Sequence, residues 1–270
     1  MTKRTLFLTL ILTLTLTVTG TAQVKETLAS LMGTEPVIVA HRGASSLAPE
    51  NTMAAVYKAL ELGIPWVEID VHRTRDSVLV ILHDETLDRT TNGKGEVARK
   101  RLNELAELDA GSWFGPEFAG EPIPTLEEVL LACKDKAVVL IELKGARTEK
   151  LTVELVRELD MTDQVIIQSF DHQAVAKAKT LAPEIPTFIL VRQDNNAQGL
   201  VNTAKFYNAD GIGIRRNLLT PELIVLAHEE SLVIIPWTVD DPTEMKEFLQ
   251  LGVDGIITNY PQVLQEILAN

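Results

Sequence analysis

The sequence has 270 residues, of which 46% are hydrophobic and 23% charged, an ordinary balance for a globular chain with a sizeable core. Its formal net charge of −13 argues against a basic face that grips nucleic acid. It leaves room for a small anionic substrate held by a local cluster of Arg, Lys or metal.

Taken in order, the chain opens with Lys3 and Arg4, an apolar run from Leu6 to Val18, and then Gly20-Thr21-Ala22. That is the layout of a secretory signal peptide over residues 1–22, cleaved after Ala22. A retained membrane anchor is the alternative, but the run is short against the roughly 20 apolar residues of a spanning helix. An exported protein, periplasmic or secreted, with no stable membrane anchor after cleavage is therefore expected. Residues 23–36 read as a spacer. Eight β-rich apolar runs follow: "VIVA" (37–40), "WVEIDV" (66–71), "AVVLIEL" (137–143), "QVIIQS" (164–169), "PTFILV" (186–191), "DGIGI" (210–214), "LVIIPWTV" (232–239) and "DGIIT" (254–258). Helical patterns such as "TMAAVYKALELG" and "EKLTVELVRELD" lie between most of them. Near-continuous apolar strands separated by helices indicate a covered parallel sheet. Eight of them predict an α/β fold of the (β/α)8 TIM-barrel type over residues 37–270.

Two irregularities interrupt the repeat. "SVLVILHD" (77–84) is strand-like, but only "RTRDS" separates it from "WVEIDVH". A parallel crossover needs a dozen or more residues, so this connection must be a hairpin. With its turn near Arg75-Asp76, His83 falls roughly across from Glu68. Residues 85–124 then form an insertion too long to be decorative in a barrel, and one able to cap its mouth. Further along, the single cysteine, Cys133, precludes an intrachain disulfide. In "LEEVLLACKDK" it reads as a small buried hydrophobe.

Barrel enzymes place their chemistry at the C-terminal ends of the strands, and those ends are rich in polar groups here. They carry His41 and Arg42, Glu68 and Asp70, His83 and Asp84, Glu142 and Lys144, Gln168 and Ser169, and Trp237 and Thr238. Glu68 and Asp70 are two apart on a strand and so share a face. Burying both without compensation is costly, and one divalent cation with Glu142 as a third oxygen ligand is the simplest remedy. Carboxylates select Mg2+ or Ca2+ over zinc. The competing reading is a structural salt-bridge network with Arg73, Lys144 or Arg215. His41 and His83, two of five histidines, could serve as base and acid in a phosphodiester cleavage. Arg42 and Lys144 suit non-bridging phosphate oxygens. His72, His172 and His228 are weaker candidates.

The ordered set "HRG…APENT", "EIDV", "LHDETLDRTTNGKG", "LDAGSWF", "IPTLEEVL", "IELK", "QSF", "WTVD" and "DGIITNYP" resembles the glycerophosphodiester phosphodiesterase family from about Val37 to Pro261. The resemblance implies a (β/α)8 barrel with an inserted region, hydrolysing a glycerophosphodiester to glycerol 3-phosphate and an alcohol. It implies His41 and His83 as the catalytic pair and Glu68, Asp70 and Glu142 as metal ligands. Arg42 and Lys144 match phosphate-contacting positions, and Trp237 matches an aromatic lining the glycerol end. The chain departs from the family pattern at His72 and Arg73, at Asn259 where Asp is usual, and at Asp240 where Asn is frequent. Two alternatives stand beside this reading. One is a lysophospholipase D on the same scaffold, its acyl chain bordered by Trp113 and Phe114. The other is a catalytically silent exported glycerophosphodiester-binding protein.

Overall fold

Alternation along each strand decides which side chains face the middle of the molecule. The computed structural model describes residues 24–193 and 196–270; the signal-peptide reading of residues 1–22 lies outside them. Within these, helix α1 spans 24–32. The strands are β1 (Val37–Ala40), β2 (Trp66–Arg73), β3 (Leu79–Ile81), β4 (Val138–Leu143), β5 (Val165–Ser169), β6 (Thr187–Val191), β7 (Gly211–Arg215), β8 (Val233–Trp237) and β9 (Gly255–Thr258). The helices between them are α2 (Met53–Glu61), α3 (Leu102–Leu105), α4 (Leu126–Cys133), α5 (Glu149–Glu158), α6 (His172–Leu181), α7 (Ala197–Phe206), α8 (Pro221–Glu229), α9 (Pro242–Leu251) and α10 (Pro261–Leu268).

Eight strands form a parallel sheet in the order β8-β7-β6-β5-β4-β2-β1-β9. Two backbone hydrogen bonds join its ends, from Asp254 N–H to Ile234 O at 3.1 Å and from Val239 N–H to Ile257 O at 3.0 Å. The sheet is the expected (β/α)8 barrel, and β3 is the expected extra strand, antiparallel to β2. Along β2, Val67, Ile69 and Val71 join the large core between strands and helices. Trp66 belongs instead to a second cluster inside the barrel, with Val39, Val138, Leu140, Ile166, Phe188, Ile235 and Ile257. Each such buried side chain contributes roughly 1.5–3 kcal/mol. Gly211 makes room for Phe188 in this interior, since a Cβ there would lie 2.6 Å from the ring.

Residues 24–32, read from the sequence as spacer, are helical. Leu28 joins the interior cluster beside Val37 and Val233, with Leu31 and Met32 packed against it. The segment thus closes the floor of the barrel at the N-terminal ends of the strands. The 85–124 insertion has its own small core of Leu87, Val97, Leu105, Ala110 and Ile123, packed on Val80 and Leu82 of the hairpin. Trp113, Phe114 and Phe118 stack edge-on within the insertion.

Candidate active site

From the floor of the barrel to its mouth, the inward columns of β2 and β4 change from apolar to polar. On β2 it runs Trp66, Glu68, Asp70, and on β4 Val138, Leu140, Glu142; Asp70 and Glu142 are register partners. One ligand atom from each of Glu68, Asp70 and Glu142 lies within 4.8 Å of the others, and all three residues are buried. Two cations answer three carboxylates. Lys144 Nζ is 2.9 Å from Glu142 Oε1 and 3.6 Å from Asp70 Oδ1. Arg42 Nε is 3.4 Å from Asp70 Oδ2.

The imbalance shows in the protonation of the three acids. Burial, and then the neighbouring Asp70 charge, push Glu142 up to about 7 and raise Glu68 well above the ordinary carboxylate range. Burial works against ionised Asp70 as well, but Arg42 and Lys144 override it and hold Asp70 below its usual value. Asn51 adds to that hold, its Nδ2 donating to Asp70 Oδ2 at 2.8 Å while its Oδ1 accepts the Asp70 N–H at 3.2 Å.

His41 and Arg42 leave β1 on a sharp bend. Arg42 adopts a left-handed φ of 55°, its N–H donating to Glu68 Oε2 at 2.9 Å. Gly43 follows at φ 79°, where a Cβ would sit 2.7 Å from the Ala55 backbone, so only glycine fits. Thr52 caps α2 by accepting the Ala55 N–H. The loop between carries Glu50, whose carboxylate accepts from Arg42 Nη1 at 2.7 Å and from Arg89 of the insertion at 2.8 and 2.9 Å. The insertion therefore supports Arg42 through Glu50 rather than covering the cleft, and none of its residues lines it. Trp113 and Phe114 accordingly do not border the cleft.

The cleft, about 390 Å³ including its open mouth, is lined by His41, Arg42, Glu68, His83, Glu142, Lys144 and Trp237, with Gln168, Phe170, Leu190, Thr238 and Ile257. Asp70 lies just behind, 1% exposed. The sequence had singled out neither Phe170 nor Leu190, because apolar residues at strand ends look the same as core. Gln168 Oε1 and Trp237 Nε1 are buried with no hydrogen-bond partner.

The two histidines are held differently. His83 Nδ1 lies 2.7 Å from Asp84 Oδ1, and Asp84 is in turn held by Arg89 at 2.8 Å. His41 Nδ1 lies 2.7 Å from Asn259 Oδ1, and Asn259 Nδ2 donates to Asp240 Oδ2 at 2.7 Å. The two departures noted at Asn259 and Asp240 are thus one interaction. Burial, and then the Arg42 charge, push His41 down to about 4. Burial lowers His83 too, against the opposing pull of Asp70 and Asp84.

The expected hairpin register is one residue off. Thr74 pairs with Val78, which centres the turn on Asp76, and Leu82 N–H donates to Asp70 O at 3.0 Å. Continuing that count sets His83 beside Ile69 instead of Glu68. His72, a weak candidate from sequence, is 5% exposed, with Nε2 3.2 Å from the His83 carbonyl oxygen. It braces the backbone that carries His83. His172 and His228 bond to Leu190 O and Asp254 Oδ2, and neither lines the cleft.

Comparison with known proteins agrees with this geometry. Residues 41–263 match the profile of the Glycerophosphoryl diester phosphodiesterase family. A glycerophosphodiester phosphodiesterase of Caldanaerobacter subterraneus subsp. tengcongensis is 39% identical over 237 residues, covering 84% of this chain and 96% of its own. One from Bacillus subtilis is 35% identical over 250 residues, covering 85% of each. Among solved structures, an Oleispira antarctica phosphodiesterase in complex with the product sn-glycerol-3-phosphate superposes with a TM-score of 0.82 at 31% identity, covering 87% of this chain and 98% of its own. With a barrel of this order, a cleft at its mouth and a match over nearly all described residues, the chain belongs to the glycerophosphoryl diester phosphodiesterase family.

Proposed function

We propose that the protein hydrolyses glycerophosphodiesters to glycerol 3-phosphate and an alcohol, with His41 and His83 as the proton-transfer pair. The observation that carries this reading is the convergence of two histidines, two cationic side chains and three buried carboxylates on one cleft.

The carboxylate set fits a divalent cation. Three buried acids facing two basic groups leave unmet negative charge, expressed in the raised Glu68 and Glu142, and all-oxygen donors suit Mg2+ or Ca2+. Glu68, Asp70 and Glu142 would hold it. When bound it would offset phosphate charge and stabilise the extra charge of the transition state.

The chain's own groups divide the remaining tasks. Arg42 and Lys144 meet the non-bridging phosphate oxygens. The unpartnered Trp237 Nε1 and Gln168 Oε1 offer one donor and one acceptor to the glycerol hydroxyls, since buried polar atoms left unpaired are costly until a ligand pairs them. His83 contacts the Asp84 carboxylate directly, which opposes the lowering by burial and makes its imidazolium easier to form than that of His41, suiting it to the acid that protonates the departing alkoxide. His41 contacts a neutral amide beside Arg42, which favours neutral imidazole and suits the base. The nucleophile it deprotonates is water or the glycerol 2-hydroxyl, and transient cyclic phosphate in the products would identify the latter.

A second reading, lysophospholipase D activity, draws on an adjoining cavity lined in part by Phe170, Leu190, Val191 and Leu200. Incubation with glycerophosphocholine and with a lysophospholipid, each with and without Mg2+ or Ca2+, separates the cases. Cation-dependent release of glycerol 3-phosphate from the first supports the main reading. Turnover of the lysophospholipid alone supports the second, and binding without turnover of either means a silent binding protein. Export belongs to the same proposal, supported by the Lys3-Arg4 start and the apolar run after it. N-terminal sequencing should find Gln23 first. Among the described residues no helix is long and apolar enough to cross a membrane.

A further inference from the structure

Asp240 and Asn259 lie behind His41, outside the cleft lining. Asp240 follows β8, and Asn259 follows β9, so the pair sits where the barrel closes. Asp240 Oδ1 accepts the Asn259 N–H at 2.9 Å and the Thr258 hydroxyl at 3.2 Å, and Oδ2 accepts from Asn259 Nδ2 at 2.7 Å. A carboxylate ringed by donors only accepts. The Asn259 amide must therefore turn its nitrogen toward Asp240 and its oxygen away.

That oxygen receives the Ser45 hydroxyl at 2.8 Å and lies 2.7 Å from His41 Nδ1. An amide oxygen only accepts as well, so Nδ1 must carry a proton whether the ring is neutral or charged. The lone pair of neutral His41 is left on Nε2, the atom 4.0 Å from Glu68 Oε2 at the cleft. Each step is forced by the previous one, and the sequence of constraints starts at Asp240.

We infer that Asp240 and Asn259 are positioning residues that lock His41 in its Nδ1–H tautomer, making Nε2 the atom through which it exchanges a proton with the substrate. The inference rests on the proton-transfer role proposed above for His41. Asn259 fixes the ring without placing a carboxylate against it. At His83 the same tautomer is enforced by Asp84 in direct contact. The two rings thus share a tautomer but differ in the charge behind them.

The test combines ring-nitrogen NMR on protein labelled with 15N-histidine and steady-state kinetics on a glycerophosphodiester. The wild type should show His41 as Nδ1–H alone. In D240N the facing side chain both donates and accepts, so Asn259 is free to turn over. An Nε2–H population should appear, and kcat should fall on the order of 10- to 100-fold, as for removal of other ring-orienting partners, with KM little changed. The exchange variant D240N/N259D puts an accepting carboxylate against Nδ1 and an amide behind it. It should restore the single Nδ1–H tautomer and most of kcat, which lost packing alone would not allow. The inference is overturned if D240N keeps one Nδ1–H tautomer, if it keeps wild-type kcat, or if the exchange variant recovers neither. Should D240N unfold, the exchange variant decides alone, by whether it folds with the Nδ1–H tautomer and turns over. Full turnover by H41A would instead remove the proton-transfer role while leaving the tautomer result standing.

Discussion

Asp70 and Glu142 are direct register partners on neighbouring strands, both buried at the barrel mouth. Each disfavours ionisation of the other, and Glu142 bears the larger share, pushed up to about 7 by burial and by Asp70. A carboxyl whose folded value is raised stabilises the fold most below its unfolded value near 4.5, and that contribution is lost as pH rises toward 7. Cation binding needs the ionised form. The rise in Tm on adding Mg2+ or Ca2+ to chelator-treated protein should therefore be larger at pH 8 than at pH 5.5. An equal rise at both would show that Glu142 is not a ligand.

Substituting Glu142→Gln keeps the shape and removes one of the opposed charges. The cation-free variant should melt above the cation-free wild type at pH 8, while losing its response to added cation and most of its turnover. Differential scanning fluorimetry and an assay on one preparation check both halves. A lower melting temperature would mean that the Lys144–Glu142 contact at 2.9 Å outweighs the repulsion.

His41→Ala and His83→Ala should each lower kcat by about 10²- to 10⁴-fold, the range for removing a general acid or base. Both should remain folded by circular dichroism, since each ring faces the cleft. A wild-type rate in either variant removes that residue from the proton-transfer pair.

Gly43→Ala tests the bend after His41. A Cβ there meets the Ala55 backbone at 2.7 Å, at a φ of 79°. A loss of about 1–3 kcal/mol is expected, the usual range for overpacking, with the site disturbed along with the fold. Urea unfolding curves measure it, and an unchanged midpoint would mean the α2 loop gives way at little expense.

The barrel was legible because its strands read as uninterrupted apolar runs spaced by helices, and that signal survives without tertiary information. Seven of the eight residues expected at the site line one cleft, and Asp70 lies just behind it. What the sequence could not resolve was which groups hold the others. His72 looks like a stray rim histidine until the hairpin register brings its Nε2 to the His83 carbonyl. Asn259 lies 218 positions from His41, and only barrel closure joins them. Residues 24–32 look like spacer in the sequence because so short a segment gives little periodicity, and its partners are spread over strands near both ends of the described chain.

That floor helix has a consequence for how the molecule assembles. Leu28 shares one buried cluster with Val37, Val233 and Ile257, and β1 pairs along its length with β9. The first strand of the barrel thus has one of its two edge partners in the last strand of the barrel. Such contacts of high sequence separation form late, because the loop entropy must be met before they yield stability. The ring cannot be completed, nor its floor sealed, until the final strand is available. A chain in which β9 has not yet docked remains an open sheet, with one edge of β1 unpaired.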